Sequence, residues 1–517
     1  MGEELYELPE GWVWSAVGEI CTTTSGGTPS RKDNTNFGGK IPWLKSGELD
    51  NRIIKATEEF ITDKGLSESS TRIIPKGTLL IAMYGATVGR LGILGIDAAI
   101  NQAICAIFIP KQLNQKYLYF YLIHFKDNLL NARKGGAQPN ISQQIVNDIY
   151  LPLPPLPEQH RIVDKIEELF TELDAGVELL KKLKAKLKRY RQAVLKAAVE
   201  GNLTKEWRTA NQGKLEPASV LLERILKQRR EKWEAEQLAK MKAQGKPPKD
   251  DSWKLKYKEP IAPDTSDLPE LPDGWVWVNL GQITWSVKDG PHYSPKYVDE
   301  GIPFITGGNV RPSGVDFANA KRITPELYRE LSKKCKPEKG DILYTKGGTT
   351  GIARVNTYDI EFNVWVHVAV LKLAGLVEPF YIQHSLNSPF CYSQSQHFTH
   401  GVGNQDLGLT RMIKIVLSLP PQDEQKKIID EIEYLYSVID QLEKTIDFNL
   451  KRAEKLRQSI LKQAFEGKLV PQDSNDEPAE KLLERIKAEK AKQTTTKTKK
   501  KTQAKKQSDF QLEIPLK

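Results

Sequence analysis

The sequence lacks any long hydrophobic run. Its 517 residues have a mean hydropathy of −0.48, and nowhere do they reach the ~18 consecutive apolar residues that identify a transmembrane helix. The first residues, Met1-Gly-Glu-Glu-Leu5, also lack the basic segment and apolar core of a secretory signal. We therefore expect a cytoplasmic protein.

Cysteine and histidine are scarce. The four cysteines (Cys21, Cys105, Cys335, Cys391) form no C-x-x-C pair, so they predict buried apolar side chains in a reducing compartment rather than a disulfide or zinc framework. His397 and His400 have i,i+3 spacing but no acidic or cysteine partner nearby. We expect no metal site in this chain.

Catalytic motifs are also missing. No G-x-x-x-x-G-K-[ST] phosphate loop, dinucleotide fingerprint or G-x-S-x-G elbow occurs. DNA amino-methyltransferases carry an Asn/Asp-Pro-Pro-aromatic motif, but every Pro-Pro pair here follows Leu153, Lys246 or Leu419. Glu424-Gln-Lys426 has the E-x-K form of a metal-dependent nuclease, yet it opens a predicted helix, where acids favour the positive end of the dipole. We expect no catalytic residue.

The net charge of +10 permits nucleic-acid binding without establishing it. Residues 490–517 hold nine lysines and two acids, so this tail alone contributes seven of the ten charges. The remaining chain is only slightly basic.

An internal repeat organises the chain. Leu8-Pro-Glu-Gly-Trp-Val-Trp14 recurs 263 residues later as Leu271-Pro-Asp-Gly-Trp-Val-Trp277. The hinge Pro154-Pro155…Glu158-Gln159 returns at 420–425, and Leu195-Lys-Ala-Ala-Val-Glu-Gly-Asn-Leu203 returns at 461–469. Since the order is kept, the sequence predicts a tandem duplication.

Each copy begins with short β-rich runs and one helical stretch, broken by Gly and Pro, which predicts an α+β domain. A proline-rich hinge then leads into a helix with apolar residues alternately four and three apart, Ile162 to Val194 and Ile428 to Ile460. Two such seams predict an antiparallel coiled coil. The alternative is an amphipathic helix lying on a globular core.

These patterns predict six segments. They are a first domain (1–156), a central coiled-coil helix (157–203), a charged helical connector (204–265), a second domain (266–421), a C-terminal coiled-coil helix (422–469), and a short helix with a Lys-rich disordered tail (470–517).

The paired openings, hinges and helix ends resemble the specificity subunit of type I restriction–modification enzymes, from Leu8 to about Ile486. The resemblance implies that each domain is a target-recognition domain reading half of a bipartite, asymmetric DNA site. It implies two methyltransferase subunits and restriction/translocase subunits as partners, for adenine methylation or cleavage. It assigns S-adenosylmethionine, ATP and Mg²⁺ to those partners, leaving this chain without a cofactor, in the cytoplasm of a bacterium or archaeon.

Candidate DNA contacts are polar and basic residues beside Gly-rich turns, which suit phosphate and base-edge contacts. In the first domain they are Lys45, Ser46, Arg52, Arg72, Tyr84, Thr87, Arg90, Asn140 and Gln143. In the second they are Asn309, Arg311, Lys346, Thr349, Arg354, Asn404 and Gln405. For each of these residues, the alternative is an ordinary solvated surface residue that does not contact DNA.

Two alternatives remain open. The basic run from Lys181 to Arg191 holds seven bases and no acid, and it suits either DNA phosphates or the outer face of a coiled coil. A non-catalytic coiled-coil adaptor whose domains bind protein or glycan also explains the seams. It does not explain why the domains diverged while the helices stayed alike.

Overall fold

The computed structural model describes residues 5–131, 140–246, 248–401 and 405–492. It divides into two compact units. Unit 1 combines the chain up to Leu180 with the chain from Phe448 onward, and unit 2 spans Lys181–Asp447. In the described ranges, no helix is long and apolar enough to cross a membrane.

Unit 1 contains eleven strands among its described residues. They are β1 (Val13–Ala16), β2 (Thr22–Ser25), β3 (Phe37–Leu44), β4 (Arg52–Ile54), β5 (Glu59–Ile61), β6 (Ile73–Ile74), β7 (Leu79–Ala82), β8 (Leu91–Leu94), β9 (Ala98–Ile100), β10 (Ile104–Phe108) and β11 (Tyr150–Leu153). Its short helices are α1 (Val17–Ile20), α2 (Asp63–Ser67), α3 (Gln115–His124), α4 (Lys126–Asn131) and α5 (Gln143–Asn147). The long helix α6 (Leu156–Val199) begins here.

Unit 2 continues with α7 (Lys205–Ala210), α8 (Ala218–Ala243) and α9 (Leu280–Ile283). Its strands are β12 (Val276–Asn279), β13 (Thr284–Asp289), β14 (Ile302–Ile305), β15 (Val310–Arg311), β16 (Gly314–Val315), β17 (Lys321–Ile323), β18 (Ile342–Thr345), β19 (Ala353–Val355), β20 (Asn363–Val364), β21 (Val368–Leu373) and β22 (Val416–Leu419). The remaining helices are α10 (Pro325–Ser332), α11 (Pro379–Leu386), α12 (Pro389–His397), α13 (Leu409–Met412), α14 (Gln422–Phe465), which ends in unit 1, and α15 (479–492).

Each repeat forms one α+β module closed by its own first and last strands. The first module (residues 13–153) is closed by β1 and β11, with Val13 opposite Leu153. The second module (residues 276–419) is closed by β12 and β22, with Val276 opposite Leu419. Because the first and last strands of each module pair with one another, both ends of the module lie next to the start of the long helix that follows it.

The two modules share a sheet framework. In the first module, five strands lie in the order β2-β10-β7-β8-β4 and four in the order β5-β3-β9-β6. In the second, the corresponding orders are β13-β21-β18-β19 and β17-β14-β20. The parallel pair β3–β9 has its counterpart in β14–β20. The sheets confirm the predicted α+β duplication, and the divergence lies in strand number and turns.

The helices α6 and α14 pair antiparallel. In unit 2, Lys184 pairs with Asp447, and Arg191, seven residues further along α6, pairs with Asp440, seven residues earlier on α14. In unit 1, Asp174 pairs with Arg457. The predicted coiled coil is therefore present.

The distribution of charge along α6 and α14 favours their antiparallel pairing. Residues 181–199 of α6 carry eight bases and no acid, and they pair with residues 422–447 of α14, which carry eight acids and three bases. In unit 1 the signs are reversed. Residues 156–180 of α6 carry seven acids and two bases, and they pair with residues 448–465 of α14, which carry five bases and one acid. A parallel pairing would place acidic halves together and basic halves together, which is unfavourable.

Only one of the two seam positions is well covered. On α14, residues one heptad apart (Ile432, Ile439, Ile446, Ala453, Ile460) are buried. The alternate position is buried at Ile428, near the start of α14, but it is open further along, since Leu442 is 43% and Leu456 48% exposed. On α6, Gly176 adds no side chain, and an open groove of about 620 Å³ lies beside it in unit 1. Two helices alone thus leave an apolar stripe facing outward.

The Glu-Gln pair of each hinge fastens a module to its helix. Glu424 and Gln425 are fully buried. The Glu424 carboxylate accepts hydrogen bonds from Thr204 Oγ1 at 2.8 Å, Arg208 Nη1 at 2.7 Å and Trp275 Nε1 at 2.8 Å. The hypothesis that Glu424-Gln-Lys426 is a helix-start feature agrees with this geometry.

The first copy of this fastening is less complete. Glu158 Oε2 accepts from Trp12 Nε1 at 3.0 Å, whereas the buried Oε1 has no hydrogen-bond partner among the described residues. Burial raises the pKa of the Glu158 carboxyl, and the Trp12 hydrogen bond opposes that rise. The same Glu-Gln motif therefore has a cationic partner, Arg208, in the second copy and a neutral partner, Trp12, in the first.

The helices following α6 and α14 pack in the same way. In α8, Ala218, Leu221 and Ile225 lie in the core of unit 2, and Ala218 N donates to Gly274 O at 2.8 Å. In α15, Ala479, Leu482 and Ile486 lie in the core of unit 1, with an equivalent bond from Ala479 N to Gly11 O at 2.9 Å. The start of the predicted connector is therefore integral to unit 2. Residues 493–517, which include the predicted Lys-rich disordered tail, lie outside the described residues.

One aromatic position differs between the repeats. The Tyr6 ring lies 4.9 Å from the Trp14 ring, and its hydroxyl donates to Phe465 O at 2.6 Å. Trp14 Nε1 donates to Tyr6 O, as Trp277 Nε1 donates to Pro269 O. Because Pro269 lacks the ring, a pocket of about 310 Å³ remains there, lined among others by Trp277 and Val199.

Candidate nucleic-acid interface

In the first module, three predicted residues meet at the turn after β7. Tyr84 is 39% exposed and pairs with exposed Asn140 in an isolated antiparallel bridge. Asn140 Oδ1 accepts from Gly85 N at 3.3 Å, and Thr87 Oγ1 donates to Tyr84 O at 3.0 Å. Gly85 has φ +68° with open space around its Cα, so the turn presents backbone and side chains to solvent.

Other predicted residues of this module lie elsewhere or are already engaged. Arg90 is exposed shortly after the turn. Gln143 uses both ends of its amide, accepting from Ser25 N at 3.2 Å and donating to Thr23 O at 3.0 Å. It positions the loop rather than facing outward.

The basic residues of the first module are dispersed. Lys45 Nζ lies 3.1 Å from both Glu58 and Glu59, and Ser46 follows it in a short 3₁₀ turn. Arg52 is exposed on β4 beside Asp50, with which it pairs, and Arg72 is exposed just before β6. Because such exposed ion pairs contribute little free energy, replacing the carboxylate partner by a DNA phosphate costs little.

The corresponding turn of the second module follows β18. Met83 N donates to Ala103 O at 2.7 Å, and Ile141 N to Met83 O at 2.8 Å. Lys346 makes the same pair of backbone bonds with His367 O (2.9 Å) and Leu407 N (2.7 Å). The turns are therefore equivalent, with Lys346 where the first module has Met83.

Lys346 is buried, contrary to the expectation of an exposed contact. Its side chain is 2% exposed, and Nζ lies 2.6 Å from Asp406 Oδ1 and 3.5 Å from Asp289 Oδ2. Nζ also donates to Val366 O at 3.2 Å. An ammonium held in this way is satisfied inside the protein and cannot reach DNA without breaking these contacts.

Around this turn, Thr349 and Gln405 are exposed, and Asn404 lies outside the described residues. Gly348 has φ +72° and open space around it, like Gly85. A Cβ on Gly347 would lie 2.5 Å from the His367 ring, so a side chain at this position would force the ring to shift. The turns of both modules thus expose backbone at equivalent places.

The remaining predicted residues of the second module have internal partners. Asn309 is buried, with Oδ1 accepting from Thr306 N at 2.9 Å. Arg311 pairs with Asp316 at 2.9 Å but is 58% exposed, which leaves it free to exchange partners. Arg354 is half-buried, donates to Pro312 O at 3.0 Å, and has a pKa lowered by burial.

Sequence reasoning missed the acids at this turn. Asp289 and Asp406 converge on Lys346 from β13 and from the loop before α13. The predicted DNA contacts are bases, amides and hydroxyls, which suit phosphates and base edges, and they include neither acid. In the described ranges, no group of three His, Cys, Asp or Glu side chains could hold a metal.

Part of the basic run on α6 is used within unit 2. Lys184 and Arg191 pair with acids of α14, and Arg191 also lies 3.2 Å from Glu443. Lys182, Lys186 and Arg189 are exposed. Part of the basic run therefore pairs with α14, and part of it is exposed to solvent.

Comparison with known proteins gives a family match in both halves. The model of the type I restriction modification DNA specificity domain matches residues 9–189 and 272–452. The EcoKI specificity subunit of Escherichia coli K12 is 25% identical over 517 aligned residues, covering 94% of this chain and 97% of that protein. The MjaIX specificity subunit of Methanocaldococcus jannaschii is 24% identical, covering 90% of this chain and 95% of that protein.

Solved structures agree in fold. A chain from a structural study of type I R-M complex assembly aligns with a TM-score of 0.59 at 18% identity, covering 90% of this chain and all of that one. The HsdS subunit from Thermoanaerobacter tengcongensis aligns with a TM-score of 0.51 at 19% identity, covering 91% of this chain and all of that one. Both support the tandem module-and-helix architecture.

Proposed function

The chain belongs to the family of type I restriction–modification DNA specificity domains, as a non-catalytic specificity subunit, and we propose that its two modules read the two unlike halves of one bipartite DNA site. The adaptor alternative does not account for the family match over both repeats. Sequence reading by a duplicated scaffold requires a constant framework and variable side chains at equivalent places.

One observation carries this proposal. The turns after β7 and β18 share their backbone hydrogen bonds, yet they present different chemistry. The first offers Tyr84 and Asn140 beside Met83, and the second offers Thr349 and Asp406 above Lys346. An amide and a carboxylate prefer different base edges, so the two modules select different half-sites.

We further propose that two methyltransferase subunits dock on the helix pair and that restriction/translocase subunits join them. The outward apolar stripe supports docking, because it recurs in both units: Leu456 in unit 1, and Leu442 and Tyr190 in unit 2, are each exposed by more than 40%. Exposed apolar patches rimmed by polar residues mark protein–protein interaction sites. S-adenosylmethionine, ATP and Mg²⁺ are used by those partners, and the complex works in the cytoplasm.

Methylome sequencing tests the proposal. A host carrying a type I methyltransferase gene is compared with and without this chain. The expected result is new adenine methylation, only with the chain, at a motif of two unlike half-sites separated by a fixed spacer. New methylation at one uninterrupted motif, or none despite a stable complex, would contradict it. Native mass spectrometry should show two methyltransferase subunits per chain, and saturation at one would contradict the docking proposal.

A further inference from the structure

The second module holds an ion cluster for which the described residues of the first module have no counterpart. Lys346 Nζ lies between Asp406 (2.6 Å) and Asp289 (3.5 Å), with His292 Nε2 3.2 Å from Asp289 and Lys334 Nζ 3.6 Å from it. The equivalents of Lys346 and Asp406 in the first module are Met83 and Asn140, which are neutral. The fold of the turn therefore does not need the charges.

The members of the cluster differ in exposure. The Lys346 side chain is 2% and the Asp289 side chain 5% exposed, whereas Asp406 is 41% exposed. Lys346 binds Asp406 Oδ1, and Oδ2 has no partner within the described ranges. Lys346 thus anchors one carboxylate oxygen of Asp406, while the Asp406 side chain as a whole stays partly exposed to solvent.

The backbone of Asp406 is fixed as well. Asp406 forms antiparallel bridges with His400 and with Gly347, and Arg411 Nη2 donates to its carbonyl at 2.8 Å. With backbone and one oxygen held, little freedom is lost when the second oxygen accepts a hydrogen bond. Preorganisation of this kind gives affinity and specificity at low entropic cost.

An exposed carboxylate on a DNA-binding surface is repelled by phosphates, so it is useful only against a base edge that donates. An ionised carboxylate accepts hydrogen bonds and donates none. In the major groove, guanine and thymine present acceptors, adenine presents an amino donor beside the N7 acceptor, and cytosine presents the N4 amino donor alone. Cytosine is therefore the best match.

We propose that Asp406 reads the N4 amino group of a cytosine in the half-site of the second module, and that Lys346 is the positioning residue that aims it. This inference rests on the proposed function. It reassigns Lys346 from a DNA contact to a support, and it gives Asp406, an acid, the contact to the base.

The test is methylation by the complete complex on a library randomised in both half-sites. Wild type should require cytosine at one position of the half-site assigned to the second module. Asp406→Asn keeps the size but adds a donor, matching adenine. It should shift preference at that position from cytosine to adenine, changing the ratio on the order of 10- to 100-fold, with the other half-site unchanged.

Asp359→Asn is the matched control, because Asp359 is an exposed acid of the same module paired with Lys339 at 2.6 Å. It should leave every base preference unaltered. Lys346→Gln should lower discrimination at the Asp406 position alone, and Lys346→Arg should recover part of it. A general loss of stability would instead lower methylation of all sites equally.

The outcomes separate the two proposals. If wild type selects a bipartite motif and Asp406→Asn selects the same bases at every position, the assignment of Asp406 is wrong while the proposed function stands. If wild type selects no bipartite motif, the proposed function itself is wrong. A shift at a position in the other half-site would also overturn the assignment.

Discussion

Replacing Glu424 by glutamine perturbs the point at which the second module is fastened to α14. Glu424 is fully buried and accepts from Thr204, Arg208 and Trp275. Among the described residues, its counterpart Glu158 accepts from Trp12 alone. The same substitution at the two positions is therefore a matched pair.

The expected magnitudes differ. Glu424→Gln removes the charge that pairs with Arg208, whose side chain is only 17% exposed. Breaking a buried pair from one side typically costs 3–5 kcal/mol, so we expect unit 2 to lose about 3 kcal/mol. Glu158→Gln keeps an acceptor for Trp12 and removes a charge that burial disfavours. We expect a change within about 1 kcal/mol in unit 1.

The two substitutions also differ in pH dependence. Because burial raises the folded-state pKa of Glu158 above its unfolded value, the protonated form favours folding. That contribution is fully present below the unfolded pKa and is lost as pH rises through the folded pKa. Relative to wild type, the Glu158→Gln variant should therefore gain stability as pH rises from about 4 to 7.

Urea denaturation with peptide-resolved hydrogen exchange measures the two units separately. Glu424→Gln should increase exchange in α7 and around Trp275, and Glu158→Gln should leave exchange around Trp12 near wild type. Equal losses from both substitutions, or a loss below about 1 kcal/mol for Glu424→Gln, would refute the reasoning from Arg208. Arg208→Met combined with Glu424→Gln should be less destabilised than the sum of the single changes.

Three further outcomes follow from the packing. Arg191→Glu should destabilise unit 2 by about 1 kcal/mol, and adding Asp440→Arg should recover part of the loss; no recovery would argue against charge-directed pairing. Pro269→Tyr should fill the pocket that Tyr6 fills in the first repeat and stabilise unit 2 by roughly 0.5–2 kcal/mol in urea; a lower midpoint would show that the pocket cannot accept the ring. All four cysteines are buried with their thiol pKa raised to about 12, so thiol reagents should label none before unfolding, and rapid labelling of native protein would contradict this.

Periodic features were predictable from the sequence because burial imposes them locally. The heptad pattern anticipated α6 and α14, and the predicted charged helical connector contains α8 (Ala218–Ala243). The one helical stretch predicted in the second copy is two helices, α11 and α12, because Ser388 caps and Pro389 starts a new one. The spacing of Ala218, Leu221 and Ile225 could have shown that α8 packs on a core, but its charged composition suggested a connector.

Site chemistry was less predictable because its partners are distant in sequence. Lys346 lies 57 residues from Asp289 and 60 from Asp406, and only the fold brings them together. The exposed members of the predicted set, such as Tyr84 and Thr349, follow from turn position alone. Whether a polar residue faces solvent or an internal partner depends on tertiary packing.

A module replacement tests most directly that each module reads its own half-site. Since β1–β11 and β12–β22 close their modules with the same strand pairing, residues 13–153 can replace 276–419 at matching positions. The methylome of a host carrying this variant with the methyltransferase should show a motif in which both half-sites are the one read by the first module. Retention of the original second half-site by a folded, active complex would contradict the account.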